Sequence, residues 1–129
     1  MLNFLRFWFP VILYSGIIFY VSGQPNVAIS WDIPNIDKVV HAIEYAILGF
    51  LTTRAVFGTV PDGSNWRILY ICGIFLAILY GLSDEYHQAF VPGRTSSAAD
   101  FLADSLGAIL GAWIYWVRGN LIKKNKLRS

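Results

Sequence analysis

Long apolar stretches dominate this sequence and restrict how the chain can fold. They lie at about residues 7–23, 38–58, 68–86 and 98–118. A helix that spans a membrane needs roughly 20 apolar residues, within a range of about 17–25. Because lipid offers no hydrogen bonds, a spanning segment must pair its backbone groups internally, as an α-helix does. The pattern therefore predicts an all-α, polytopic membrane protein with about four transmembrane helices in one bundle.

The composition favours a membrane over water as the surroundings of the chain. Hydrophobic residues make up 56% of the 129 residues, and charged residues make up only 14%. Soluble domains usually have about 25% charged residues, so this chain has too few charges to cover a water-exposed surface. Its length fits one membrane domain, which we place at residues 1–129. The single cysteine excludes an internal disulfide and a thiolate metal centre.

The first apolar stretch allows two interpretations. Arg6, the apolar run and the small residues around Ser22 are also features of a cleavable signal peptide. The run is long for the hydrophobic part of such a peptide, so we favour a retained helix. Pro10 fits that interpretation if it lies in the first turn, where proline is tolerated.

The basic residues indicate how the helices are oriented. Lys and Arg favour the cytoplasmic side of a membrane. If both termini are cytoplasmic, eight of the ten basic residues lie inside, and only Lys38 and Arg94 lie outside. The reverse orientation inverts this count, so we predict that both termini are cytoplasmic.

This orientation collects the acidic residues on the outer half of the bundle. Seven of the eight are placed there: Asp32, Asp37, Glu44, Asp84, Glu85, Asp100 and Asp104. A charged residue within a membrane helix costs about 2.5–3.5 kcal/mol on insertion scales. Several of them at one depth therefore indicate a functional site.

Helical spacing places many of these side chains on narrow faces. At about 100° per residue, the second helix carries within roughly 60° the side chains of Asp37, His41 and Glu44. The fourth helix has an equally narrow face with Asp100, Asp104, Gly107 and Gly111. The third helix ends with Asp84, Glu85, His87 and Gln88. These polar ends are expected to meet at one level, with Arg94 in the loop that follows.

Structural roles compete with a functional role for the same residues. Asp37 and Asp100 suit the N-terminal turns of their helices, where the helix dipole favours negative charge. A salt-bridge network that locks three helices together is a second explanation of the cluster. Gly107 and Gly111 form a small-xxx-small pair, which is typical of close helix packing.

A divalent metal ion is a further alternative for this cluster. Residues with suitable ligand chemistry are His41, Glu44, Asp84, Glu85 and His87. Their spacing matches no strong metal-binding signature such as H-E-x-x-H, so the sequence predicts no metal ligands.

Taken in order along the chain, these motifs resemble the VanZ-like family. The matching residues are Asp37–Lys38–Val39–Val40–His41 with Tyr45, Asp84–Glu85–Tyr86–His87–Gln88, Pro92–Gly93–Arg94, and Asp100 with Asp104 and Gly107. The resemblance covers roughly residues 37–111, and the first helix resembles the family in its hydropathy. Many family members have Asn where this chain has Asp104, so this chain has an additional carboxylate.

The resemblance implies a bacterial protein of the cytoplasmic membrane with a role in the cell envelope. The family is named for a protein linked to teicoplanin resistance. It implies no particular reaction, and the cofactor is unknown. The expected partners are membrane lipids, with a lipid-linked envelope precursor as a candidate, and no nucleic acid.

One predicted function is an enzyme that acts on an anionic envelope substrate, which is lipid- or peptidoglycan-related. Its catalytic residues are Glu85 or Asp84 as general acid or base, with His41 to orient or share the proton. Arg94 is expected to clamp the anionic group through its guanidinium. The full set of predicted substrate-binding residues is Arg94, Asp100, Gln88, Glu44, Asp37 and Asp104.

Two other functions use the same residues. A non-catalytic binder of an envelope ligand or antibiotic gives glycopeptide tolerance if these side chains only fix the orientation of the ligand. A small proton-linked transporter is the third alternative, because buried carboxylates suit proton relays.

Overall fold

A computed structural model describes residues 2–25, 35–61 and 63–126, with side chains up to residue 122. The helices are α1 (Leu2–Ser22), α2 (Ile36–Thr59), α3 (Trp66–Gln88) and α4 (Ala98–Lys126). These described segments contain no strand, so the predicted all-α bundle is confirmed. Asp32, which the sequence places among the outer acidic residues, lies outside the described segments.

The helices extend beyond the apolar stretches at several ends. α1 begins at Leu2, so Pro10 lies inside the helix rather than in its first turn. Proline lacks the N–H that the helix interior uses, and membrane helices tolerate this loss where neighbouring groups compensate. α4 continues to Lys126 because Lys and Asn residues that follow the apolar run still permit helical backbone.

α1, α2 and α3 are long and apolar enough to cross a membrane. α4 does not meet that criterion within the described residues, because it opens with Asp100 and Asp104 and is rich in small residues. It nevertheless packs against α2. The chain is therefore a multi-pass membrane protein.

The distribution of side chains also fits a lipid environment. Large apolar residues face outward on every helix, among them Ile12, Ile43, Ile71 and Trp113, which are between 53% and 63% exposed. The buried positions instead hold many small or polar residues, such as Ala55, Ala77 and Asp104. In water such a surface would favour aggregation, whereas lipid solvates it.

Glycines allow α2 and α4 to approach each other closely. A Cβ atom added at Gly107 would overlap the carbonyl group of Ala42, and one at Gly111 would overlap that of Ala46. These pairs advance in the same direction along both helices, so α2 and α4 are parallel. The close packing predicted from the Gly107-x-x-x-Gly111 spacing thus occurs inside the bundle, against α2.

The loop between α3 and α4 returns the chain to the level at which α3 ends. Gly93 adopts a left-handed φ of 79°, which glycine accepts without steric cost. Ser97 caps α4, since its Oγ accepts a hydrogen bond from the Asp100 N–H at 3.0 Å. The start of α4 therefore lies beside the end of α3.

Candidate functional site

Polar side chains close the end of the bundle where α2 and α4 begin and α3 ends. This polar cluster consists of Ser22, His41, Asp84, Glu85, Gln88, Ser97, Asp100 and Asp104. The four carboxylates are nearly removed from solvent, with 4% exposure for Asp84 and Glu85, 8% for Asp100 and 0% for Asp104. Buried charges are costly without partners, so the partners of each carboxylate indicate its role.

His41 and Asp104 form a direct pair between α2 and α4. His41 Nδ1 and Asp104 Oδ1 are 2.9 Å apart. The pair lies one residue before the Ala42–Gly107 contact on α2, so the tight helix packing holds the imidazole against the carboxylate. The other oxygen of Asp104, Oδ2, is buried without a hydrogen-bond partner among the described residues.

Asp84 uses both of its oxygens to join α1 to α3. Ser22 Oγ donates a hydrogen bond to Asp84 Oδ1 at 2.5 Å, and Gln88 Nε2 donates to Asp84 Oδ2 at 2.8 Å. Beside this group, the His87 ring stacks on Phe19 with its centroid 4.4 Å away. Asp84 is thus a satisfied carboxylate that links two helices.

Within the described residues, Glu85 has hydrogen-bond partners at one of its two carboxylate oxygens. The Ser97 N–H and the Ser96 Oγ each donate a hydrogen bond to Glu85 Oε2 at 3.0 Å. Glu85 Oε1 is buried and has no partner in the described part of the chain. The carboxylate is therefore held in one orientation by the cap of α4, with a second oxygen available for chemistry.

Asp100 faces the rim of the cluster. Lys38 Nζ donates to Asp100 Oδ1 at 3.0 Å, and Ser97 Oγ donates to Asp100 Oδ2 at 2.6 Å. Lys38 also reaches Asp37 Oδ2, at 2.8 Å, on the exposed side. Within the described contacts, Asp37 is therefore joined to the cluster through Lys38.

Three helices bring together a set of potential metal ligands. One ligand atom each from His41, Glu85 and Asp104 lies within 4.8 Å of the other two. Imidazole nitrogen and carboxylate oxygen are ligands of divalent transition metals. The same groups are suited to proton transfer, because a histidine oriented by a carboxylate stands next to a second carboxylate.

The family model described as VanZ/LLP1 matches residues 3–119. The chain belongs to the VanZ/LLP1 family. The resemblance seen in the sequence motifs is thereby confirmed and extends through all four helices. No curated protein and no solved structure matches the chain.

Arg94 lies beside the C-terminal end of α1 in this VanZ/LLP1 protein. Its Nη2 donates to the Val21 carbonyl at 2.8 Å, and its Nε donates to the Gln24 carbonyl at 3.2 Å. The guanidinium thus caps the C-terminal end of α1, and it forms no ion pair with a carboxylate within the described residues. Glu44 is half-buried on α2, and its backbone carbonyl accepts a hydrogen bond from Tyr14.

Four polar residues in or beside the cluster were not among the site residues predicted from sequence: Ser22, Ser96, Ser97 and Tyr45. Ser97 was detectable, since Ser97-x-x-Asp100 ahead of an apolar run matches a capping pattern. Ser22 and Ser96 have no such signal, because their partners lie on another helix. Tyr45 is fully buried, and its hydroxyl has no partner in the described segments, which places a further polar atom near Asp104.

An apolar groove runs beside the polar cluster in this family member. It has a volume of about 760 Å³ and follows α2 and α4 from Asn35 and Lys38 to Ile114. Its walls are almost entirely apolar, with Leu106 and Leu110 on α4. Lys38 therefore lies both in the groove and in contact with Asp100 of the cluster.

Proposed function

We propose that this protein acts in the bacterial cytoplasmic membrane, with both termini cytoplasmic, as an enzyme of the cell envelope. Its substrate is an anionic, lipid-linked envelope molecule, and the polar cluster carries out acid/base chemistry on it. Family membership supports the envelope role, since the family is named for teicoplanin resistance. The positive-inside pattern supports an outward-facing cluster.

The observation that carries the proposal is the state of Glu85. One oxygen accepts two hydrogen bonds, and the other is buried and free of partners among the described residues. Its neighbours are His41 and Asp104, which are paired at 2.9 Å. Glu85 then acts as the general acid or base, and Asp104 orients His41, which shares the proton.

The remaining polar residues have supporting roles in this proposal. Asp84 uses both oxygens to hold Ser22 and Gln88, so we assign it a positioning role rather than a catalytic one. Arg94 secures the end of α1 through two carbonyl groups. Both remain next to the site, and Arg94 Nη1 makes no hydrogen bond within the described residues, so Arg94 stays the proposed binder of the anionic group.

The groove between α2 and α4 favours a lipid-linked substrate over a soluble one. An acyl chain suits its apolar walls, and Lys38 at its polar end suits the adjoining anionic head group. Lys38 also borders Asp100, so a molecule held in this way has its head group beside the cluster.

The test is the teicoplanin susceptibility of a sensitive bacterial host that expresses wild type or Glu85→Gln at matched membrane abundance. We expect wild type to protect and Glu85→Gln to lose protection, because the amide keeps the shape but cannot transfer the proton. Tyr86→Phe is the control, since Tyr86 is 70% exposed on the neighbouring position of α3.

The outcomes separate the competing functions. Protection by Glu85→Gln equal to wild type would exclude acid/base catalysis and leave a binder that only orients its ligand. Loss of protection by Tyr86→Phe as well would assign the effect to helix α3 rather than to the carboxyl group. If wild type gives no protection, the resistance role does not extend to this chain.

A further inference from the structure

The donor atoms of His41, Glu85 and Asp104 form a compact set although they come from three helices. Each contributes one nitrogen or oxygen within 4.8 Å of the others. Four-coordinate zinc binds histidine nitrogen and carboxylate oxygen at about 2.0–2.2 Å, which puts its ligand atoms about 3.3 Å apart. Small side-chain rotations are therefore enough to bring the three donors onto one ion.

Two of the three residues also have a carboxylate oxygen available for an ion. Glu85 Oε1 and Asp104 Oδ2 are buried and have no hydrogen-bond partner within the described segments. The residues themselves are 4% and 0% exposed, so bulk water does not replace the missing partners. Buried carboxylate oxygens are normally paired or coordinated, because an unpaired one is costly.

The charge of the cluster also requires compensation. Four carboxylates are buried there: Asp84, Glu85, Asp100 and Asp104. Among the described contacts, Lys38 is the ammonium group that pairs with them, and it lies at the rim on Asp100. A divalent cation beside Glu85 and Asp104 supplies positive charge where the lysine does not reach.

We propose that His41, Glu85 and Asp104 bind one divalent transition-metal ion such as Zn²⁺. Three protein ligands leave an open coordination position, which is the arrangement of catalytic rather than structural zinc. That position suits an oxygen of a phosphate or carboxylate group. The inference rests on the proposed function only in naming this anionic ligand, and it explains how an anionic substrate approaches a carboxylate-rich cluster.

The test uses the full chain purified in detergent micelles, treated with a chelator and then dialysed against Zn²⁺. Metal per chain is measured by mass spectrometry of the dissolved element. We expect about one ion per chain in wild type, and at least about tenfold weaker binding in Asp104→Asn and His41→Gln. His87→Gln is the matched control, because it removes the chain's other histidine.

Wild type that retains no stoichiometric Zn²⁺ would overturn the proposal. So would equal binding by wild type, Asp104→Asn and His41→Gln, because the ion would then lie elsewhere. If circular dichroism shows that these variants unfold, the X-ray absorption spectrum of Co²⁺-loaded wild type decides. Outer-shell scattering from one coordinated imidazole ring, retained in Co²⁺-loaded His87→Gln, supports the site, and its absence overturns it.

The metal site and the proposed function fail in distinguishable ways. Metal binding is measured without substrate, and teicoplanin protection is measured in cells. Loss of protection by Glu85→Gln without any bound metal supports acid/base chemistry and rejects the metal. Bound metal in a wild-type protein that gives no protection supports the metal site and rejects the envelope function.

Discussion

The two halves of the α2–α4 interface are built from opposite kinds of residue. In the half near the polar end, charged or polar side chains meet across the interface: Lys38 meets Asp100, and His41 meets Asp104. These groups are held by hydrogen bonds, and Asp104 retains one oxygen without a partner in the described segments.

In the other half, the backbones themselves are in contact. Ala42 and Ala46 of α2 face Gly107 and Gly111 of α4, with no room for a side chain at either glycine. Contacts of this kind permit one register and one rotation of the helices, because any shift drives a Cβ atom into a carbonyl group. The glycine contacts thus fix the relative position of α2 and α4. This position places the polar side chains of the other half opposite one another.

Gly111→Ala is expected to have the largest effect on this arrangement. The added methyl group overlaps the Ala46 carbonyl, and overpacking of this kind costs about 1–3 kcal/mol. The measurement is the free energy of unfolding in micelles, from a denaturing-detergent titration followed by circular dichroism. Gly119→Ala on the same helix is the control, since a Cβ atom there meets nothing within 4 Å. Equal losses in the two variants would show that backbone contact does not hold the interface.

Ser97→Ala is expected to have a smaller effect, limited to the polar half. It removes the hydroxyl that caps α4 and that donates to Asp100, and loss of a cap costs about 1 kcal/mol. The same titration measures it. Ser105→Ala is the matched control, because among the described contacts the Ser105 hydroxyl bonds within its own helix, to the Phe101 carbonyl. A loss as large as that of Gly111→Ala would mean that the polar half sets the register itself.

Asp37→Asn is expected to have the smallest effect. The Asp37 side chain is 58% exposed, and its pairing with Lys38 at 2.8 Å is a surface ion pair. Such pairs contribute less than about 1 kcal/mol, so we expect a change within about 0.5 kcal/mol in the same titration. A markedly larger loss would show that the rim of the cluster stabilises the helix pair.

Much of the polar half was predictable from helical spacing alone. Asp100 and Asp104 share one face of α4, and His41 shares a face of α2 with Asp37, so convergence at one depth followed from the positions of the apolar segments. Arg94 illustrates the opposite case. Its charge and its loop predict an anion clamp, which stays a prediction, whereas the hydrogen bonds from its guanidinium to the carbonyls of Val21 and Gln24 had no signal in the sequence. Those carbonyls become acceptors only because α1 ends beside the loop.

The contacts of the serine residues and the set of proposed metal ligands could not be predicted from sequence either. Ser22 and Asp84 are far apart in the chain, and so are His41, Glu85 and Asp104. No local spacing encodes these contacts. The prediction of no metal ligands rested on spacing within single segments, and the proposed site draws one ligand from each of three helices. That prediction stays open until the metal content is measured.

Sequence alone determined that this chain forms a bundle of membrane helices, because its long apolar stretches and few charged residues do not suit a protein surrounded by water. It also determined that carboxylates gather at one end, since their positions along each helix follow from a period of about 3.6 residues. Only the tertiary structure decided which carboxylate oxygens have partners. Asp84 is satisfied by Ser22 and Gln88, whereas Glu85 has one oxygen without a partner among the residues that the structure describes. The difference arises from the rotation and register of neighbouring helices, which depend on packing between segments distant in the chain.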